Sequence, residues 1–317
     1  MRVLITGGTG FVGAHLISFL KTRATYIGVI ASGGSPTRHP EAHYHELDIR
    51  NAGEVRSVVN EVRPSHVFHL AGVSAVDVSW RESRLNFEVN VCGAYNLFEA
   101  AMSLPAPPRI LNVSTSQVYA ASGHPLSEED PVHPANPYAA SKAMAEMIRV
   151  QYQHHRLGGI VTARSFNHTG PGQSANFVIP SMAKQFAEIE LGMRPASITV
   201  GNIQIKRDFS DVRDVVRAYF LLLEHGGTGE VYNVCRGVAV RLEDILKMFQ
   251  SVCGVEVKIE IDPDRLRRSD PLEICGNPQK LSAATGWRPQ IPLSQTISDT
   301  LDHWKSELKH EKTIGNR

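Results

Sequence analysis

The chain has 317 residues, 42% of them hydrophobic and 21% charged, with a formal net charge of +1. That is enough apolar material for one large domain or two smaller ones to fold unaided. A near-zero charge without a long run of Lys or Arg gives no electrostatic pull toward nucleic acid or an anionic membrane. The cysteines, Cys92, Cys235, Cys253 and Cys275, are scattered and form no CxxC pair, which argues against a disulfide framework or a cysteine zinc site. No stretch approaches the ~20 apolar residues of a membrane span. The opening "MRVLITGGTGFVG" reads as a strand and turn rather than a secretory leader, so a cytoplasmic location is expected.

Residues 2–6, "RVLIT", form a short apolar run, and a helical pattern starts near Phe11 and continues through Val12, Leu16, Ile17 and Leu20. Gly7, Gly10 and Gly13 punctuate the turn between them in GxxGxxG spacing. The first permits the bend, the second admits a pyrophosphate to the backbone, and the third lets helix and strand approach. The helix N-terminus then offers free N–H groups to the phosphates. A glycine-rich surface turn is the plainer alternative, but the placement between strand and helix favours a dinucleotide site.

A second strand is expected at 26–31, "YIGVIA". An NAD site would end it with an acid to hold the ribose 2′-hydroxyl. Here the chain runs "SGGSPTR" instead, in which Ser32, Ser35 and Arg38 suit a 2′-phosphate, so NADP(H) is favoured and NAD(H) is the alternative. Asp48 in "ELDIR" follows a short third strand, where it would hold the adenine amino group or cap the helix starting near Asn51.

Strands at 66–70, 109–113 and 160–164 alternate with helices at 83–104 and 137–157. This order predicts an α/β fold with a Rossmann-type, doubly wound parallel sheet. Beyond Gly170, helices expected at 176–192, 211–224, 241–253 and 293–308 mix with short elements, giving a smaller mixed C-terminal lobe for substrate. The boundaries follow as 1–164 with 202–246 for the NAD(P)-binding domain, and 165–201 with 247–317 for the lobe. The polar tail "KHEKTIGNR" is expected to fray.

In "NPYAASK", Tyr138 and Lys142 lie four apart at the start of a helix and share a face. A phenol has an ordinary pKa near ~10, and a neighbouring ammonium is expected to lower it, making Tyr138 an acid/base. The plain alternative is a surface pair. Thr115 lies just past the end of the fifth strand, and in a doubly wound sheet the carboxyl ends of the strands line the ligand crevice, so its hydroxyl can reach the same substrate oxygen; a capping or turn role is the alternative.

With "TGGTGFVG", "HLAG", "NVCG", "STSQVYA", "NPYAASK" and "RSFNHTGPGQ" in this order, the sequence resembles the extended short-chain dehydrogenase/reductases. The resemblance implies a catalytic set of Thr115, Tyr138 and Lys142, supported by Asn90. It implies cofactor contacts from Gly7, Gly10, Phe11, Val12 and Gly13 in the first turn. Ser32, Arg38, Asp48 and Ile49 would follow at the adenosine end, with Leu70, Ala71, Gly72 and Asn90 lining the crevice and Tyr138 and Lys142 on the nicotinamide ribose. The second half, with "SFNHTGPGQSANFVIPSMAKQFAEIE" and "DPDRLRRSDPLEICGNPQKLSAATGWRPQIPL", looks like the GDP-4-keto-6-deoxy-D-mannose reductases, relatives of the GDP-mannose 4,6-dehydratases. By that likeness Asn167, Phe177 and Val178 contact the sugar nucleotide, Arg207 and Arg267 clamp its diphosphate, and Asp270 holds its ribose. The helices at 83–104 and 137–157 would pack against a second copy to give a homodimer.

Dehydratases of that family place a Glu where Gln117 stands, as the base that removes the C5 proton. An amide cannot take a proton. Reduction of a C4 ketone by NAD(P)H needs only one proton for the alkoxide, which Tyr138 can give. The expected reaction is therefore reduction of GDP-4-keto-6-deoxy-D-mannose to GDP-D-rhamnose or its C4 epimer, with Gln117 orienting the sugar. The alternatives are a 4-epimerase with tightly bound NAD, a 4,6-dehydratase, and a non-catalytic NADP-binding regulator. His39, His43 and His45 alternate in "RHPEAHYHE" and read as solvated residues rather than a metal site, and His154 and His155 as a helix end.

Overall fold

The computed structural model describes residues 1–32, 38–120, 122–152, 159–265 and 271–315. Its first strands are β1 (Arg2–Thr6), β2 (Tyr26–Ala31), β3 (His43–Glu46), β4 (His66–His69), β5 (Arg109–Thr115) and β6 (Gly159–Ser165). Short strands follow: β7 (Asn167–Thr169), β8 (Ser197–Val200), β9 (Lys206–Asp211), β10 (Val231–Val234), β11 (Ala239–Arg241), β12 (Lys258–Ile261) and β13 (Glu273–Ile274).

Seven of them make one parallel sheet in the order β10-β6-β5-β4-β1-β2-β3. Val3, Leu4 and Ile5 are fully buried in succession, because helices cover both faces of the sheet and no side of β1 meets water. On one face α1 (Phe11–Leu20) packs with residues 212–225, joining Val3, Ile5, Leu16, Val29 and Tyr219 in one core. On the other, α2 (Ala52–Val62) packs with residues 93–102, joining Leu4, Val59, Val67, Leu97 and Phe98. The strand order reverses between β1 and β4, which opens a crevice at their carboxyl ends.

The segment expected as one helix over 83–104 is instead broken. α3 (Val76–Arg81) and α4 (Ser83–Phe87) lead into a π turn at Glu88–Cys92, and α5 (Gly93–Met102) continues from it. The widened turn carries Asn90, whose side chain is tied to groups outside the helix. α6 (Pro137–Met147) tightens into a 3₁₀ turn at Ile148–Tyr152, and His154 and His155 lie outside the described residues.

A separate core holds the lobe together. α7 (Val178–Glu190), α9 (Leu242–Cys253) and α11 (Leu293–Gly315) enclose Ile179, Phe186, Phe249 and Ile297, with α8 (Val212–His225) and α10 (Gln279–Thr285) remaining with the large sheet. Ile205, Phe209, Leu242, Ile245 and Leu246 also pack in this lobe core, across the boundaries drawn from sequence. β9 pairs with β7, β11 and β13 in a small sheet. The tail expected to fray from Lys309 is helical as far as Gly315. Among the described residues no helix is long and apolar enough to cross a membrane.

Candidate active site

The glycine turn after β1 is shaped by close approaches. Gly7 has φ 71°, and a Cβ there would lie 2.8 Å from the Ala71 nitrogen at the end of β4. Gly10 donates its N–H to the Gly7 carbonyl at 3.1 Å. A Cβ on Gly13 would sit 2.5 Å from Gly8 Cα, so only glycine lets α1 press on the turn. Among the described residues no side chain caps α1, which leaves its first N–H groups for an anion. Together the bare backbone and uncapped helix fit a dinucleotide pyrophosphate. Gly13→Ala is expected to weaken NADPH binding more than tenfold in a fluorescence titration and to lower thermal stability by about 1–3 kcal/mol, the usual cost of overpacking.

Leu70, Ala71 and Gly72 continue from β4. The Thr6 hydroxyl accepts from the Ala71 N–H at 3.2 Å and bonds His69 Nδ1 at 2.7 Å, stitching β1 to β4. Burial pushes His69 down to about 3, helped by the nearby Lys142 charge, so the imidazole is neutral. A Cβ on Gly72 would come within 2.8 Å of Asn90 Oδ1 and 3.9 Å of Lys142 Nζ. Three motifs far apart in sequence therefore meet there.

Asn90 anchors this meeting. Its Oδ1 accepts from the Val73 N–H at 2.8 Å, while Nδ2 donates to Ser141 Oγ at 2.9 Å and Asn86 Oδ1 at 3.0 Å. Asn86 Nδ2 in turn donates to the Pro137 carbonyl at 3.0 Å, and the Tyr138 N–H donates to Ser79 Oγ at 3.2 Å. Asn136 caps α6 by accepting from the Ala139 N–H at 2.8 Å, with Pro137 in the first turn. The first turn of α6, carrying Tyr138, is thus fixed from three sides. Asn86, Ser79 and Ser141 were not singled out from sequence; the Ser one position before Lys142 was the available signal.

Thr115 ends β5 and accepts from the Gln117 N–H at 3.3 Å, so the capping role holds alongside its place in the crevice. Asn136 Nδ2 donates to Gln117 Oε1 at 3.1 Å. This orients the exposed Gln117 and leaves its NH₂ group without a protein acceptor among the described residues. The phenol of Tyr138 corrects an expectation. Burial raises its pKa above the ordinary value, a contact with Thr115 works the other way, and the Lys142 charge does not bring it down. Lys142 is 6% exposed; burial lowers its pKa to about 8 against the pull of Glu146.

At the adenosine end, Asp48 accepts from the Arg50 backbone N–H at 2.9 Å and from its guanidinium, which also reaches Glu88 at 3.1 Å. Asn51, not Asp48, caps α2, accepting from Gly53 and Glu54. Ile49 is buried, and a Cβ on Gly93 would strike its side chain at 2.6 Å. Ser32 is exposed, and Arg38 pairs with the Glu46 carboxylate over the Tyr44 ring. His39 meets Glu41, and His43 stacks on Tyr26 at 4.7 Å. Ser35 lies outside the described residues.

On the lobe side, Asn167 is exposed on β7, and Phe177 and Val178 are 46% and 38% exposed at the start of α7. Arg207, expected on a diphosphate, is buried on β9, where Nη1 donates to the Lys206 and Pro271 carbonyls at 2.8 and 2.9 Å. Arg267 and Asp270 lie outside the described residues.

A family model described as GDP-mannose 4,6 dehydratase matches residues 4–300. The chain belongs to this family. It is 34% identical to GDP-6-deoxy-D-mannose reductase of Pseudomonas aeruginosa over 313 residues, covering 98% of this chain and 99% of that protein. The structure of RMD from Pseudomonas aeruginosa complexed with NADPH superposes with a TM-score of 0.86 at 33% identity, over 97% of this chain and 100% of that one. The UDP-glucose 4-epimerase of Thermus thermophilus in complex with NAD gives 0.83 at 30% identity, over 96% and 99% of the two chains. The doubly wound sheet and the lobe are therefore shared with proteins named for different reactions.

Proposed function

We propose that this chain is an NAD(P)H-dependent nucleotide-sugar 4-ketoreductase, acting in the cytoplasm as a homodimer on GDP-4-keto-6-deoxy-D-mannose. Its product is a GDP-6-deoxyhexose, GDP-D-rhamnose or the C4 epimer. The observation that carries the reading is the amide of Gln117, oriented by Asn136 and bonded through its backbone to Thr115, where a dehydratase needs a base. The near full-length likeness to a GDP-6-deoxy-D-mannose reductase supports it.

NADPH, when bound, supplies the hydride. Gly7, Gly10 and Gly13 with the N-terminus of α1 hold its pyrophosphate, and Ser32, Arg38, Asp48 and Ile49 surround its adenosine. Leu70, Ala71, Gly72 and Asn90 line the crevice beyond. Thr115 and Tyr138 hold the ketone oxygen, and Tyr138 gives its proton to the nascent alkoxide. A phenol kept neutral by burial suits this direction, because the group must start protonated. Lys142 binds the nicotinamide ribose and balances the phenolate left behind. Asn167, Phe177, Val178, Arg207, Arg267 and Asp270 receive the sugar nucleotide. NADP(H) is favoured by the absence of an acid at the end of β2, with Arg38 meeting the 2′-phosphate, and by the NADPH in the Pseudomonas aeruginosa relative.

The homodimer is supported by apolar side chains on the outer faces of α4 to α6. Phe87, Tyr95, Met144 and Met147 are 44%, 43%, 49% and 64% exposed, and α4 packs against α6, which would gather part of this apolar area into one association surface.

The deciding experiment mixes the protein anaerobically with the 4-keto sugar nucleotide and NADPH or NADH, following absorbance and identifying the sugar by NMR. One nicotinamide oxidised per 6-deoxyhexose formed is expected. No oxidation with either nicotinamide would remove the reading, and turnover of intact nucleotide sugars by bound NAD alone would replace it with 4-epimerisation. In deuterated water the wild-type product is expected to carry no deuterium at C5, whereas Gln117→Glu introduces exchange there by supplying a carboxylate base. NMR of the product checks this.

A further inference from the structure

Glu146 lies one turn beyond Lys142 on α6, the spacing that places both side chains on the face turned to the sheet. It is 2% exposed. Its Oε1 accepts from the Ser114 hydroxyl and from Arg164 Nε at 3.1 Å, and its Oε2 from Arg164 Nη2 at 2.8 Å. Ser114 and Arg164 are register partners on β5 and β6, and Ser114 immediately precedes Thr115. The carboxylate therefore pins α6 to the strand ends that carry the other half of the site. Behind it the Arg164 guanidinium lies 4.6 Å from the Tyr119 ring centroid, and the Tyr119 hydroxyl donates to Asn233 at 2.7 Å.

A buried ion pair is weak evidence for stability, because alkyl side chains of the same volume often pack as well. What alkyl groups cannot provide is a fixed negative charge one turn from the Lys142 ammonium. His69 faces that ammonium from β4 and is neutral. Tyr138 shares its helix as an uncharged phenol, and Asn90 faces it from the π turn. Among the described residues Glu146 is the carboxylate that acts on Lys142.

We propose that Glu146, held by Ser114 and Arg164, is a positioning residue for ketone reduction: fixed between α6 and β5, its carboxylate keeps the Lys142 ammonium charged beside Tyr138. Its catalytic consequence rests on the reductase reading; its test does not. The titration of Lys142 is read in nucleotide-free, full-length protein by trace acetylation across pH and peptide mass spectrometry. Glu146→Gln keeps the shape and loses the charge. The double variant Glu146→Met with Arg164→Met removes both charges at similar volume, so it serves if an unpaired Arg164 unfolds the single one.

In either variant the Lys142 midpoint is expected about one pH unit below wild type. The kcat should then be about fivefold lower at pH 8, with KM unchanged, and equal to wild type near pH 6, where the ammonium is restored. A midpoint unmoved in the variants, or a kcat loss equal at every pH, overturns the proposal. A shifted midpoint in a protein that reduces no ketone leaves the charge role standing and removes the reductase reading.

Discussion

Tyr138→Phe is expected to lower kcat for ketone reduction by about 10³-fold, within the range of a lost general acid, while NADPH binding stays within about twofold of wild type. In the proposed reaction the phenol is the acid that gives its proton to the alkoxide, and Phe keeps the ring that fills its space. The hydrogen bonds fixing the first turn of α6 run through the Tyr138 backbone N–H, Pro137 and Ser141, so the variant keeps its fold. A split of this kind, with chemistry lost and cofactor affinity retained, separates proton donation from a packing role. Stopped-flow absorbance with a parallel fluorescence titration measures both. Retention of more than a tenth of wild-type kcat would mean that another group, such as the Thr115 hydroxyl in contact with the phenol, delivers the proton.

The doubly wound sheet is legible in the sequence because its signals are local: β1 and β2 are apolar runs closed by glycine or polar residues, and the helices between them repeat with their own period. The glycines at 7, 10 and 13 are legible for the same reason, since the approach of α1 and β4 admits no Cβ at 7 or 13. The π turn at Glu88–Cys92 is not. Nothing in "EVNVC" forbids an ordinary helix, and the extra residue is accommodated because Asn90 bonds Val73 and Ser141, 17 and 51 positions away. Asp48 reads as an adenine ligand or a cap because it lies three residues before Asn51, and of these the cap belongs instead to Asn51 while Arg50 engages Asp48. The rise of the Tyr138 pKa was equally hidden: spacing places an ammonium four residues away, but the burial that dominates belongs to the assembled site. Glu146 carries a local signal, since it repeats the i, i+4 step from Lys142 on α6.

Lys142→Met is expected to lower kcat by about 10²-fold at pH 7 and to abolish a pH dependence that the wild type should show. Burial places the wild-type ammonium at about 8, far below an exposed Lys near ~10.4. In the proposed reaction the useful form is the cation, which would stabilise the phenolate left when Tyr138 gives up its proton. That form is present below pH 8 and is lost as pH rises through it, so kcat falls on the alkaline side with a midpoint near 8. Tyr138 does not set this limb, because burial moves its titration upward from ~10. His69 does not either, being neutral from about 3 upward. In Lys142→Met the side chain fills much of the same volume without a titrating group, so the residual rate should be flat between pH 6.5 and 9. A pH series of single-turnover rates at saturating NADPH decides the matter: an alkaline limb near 8 that survives the substitution would assign the limb to another residue and leave Lys142 only its ribose contact.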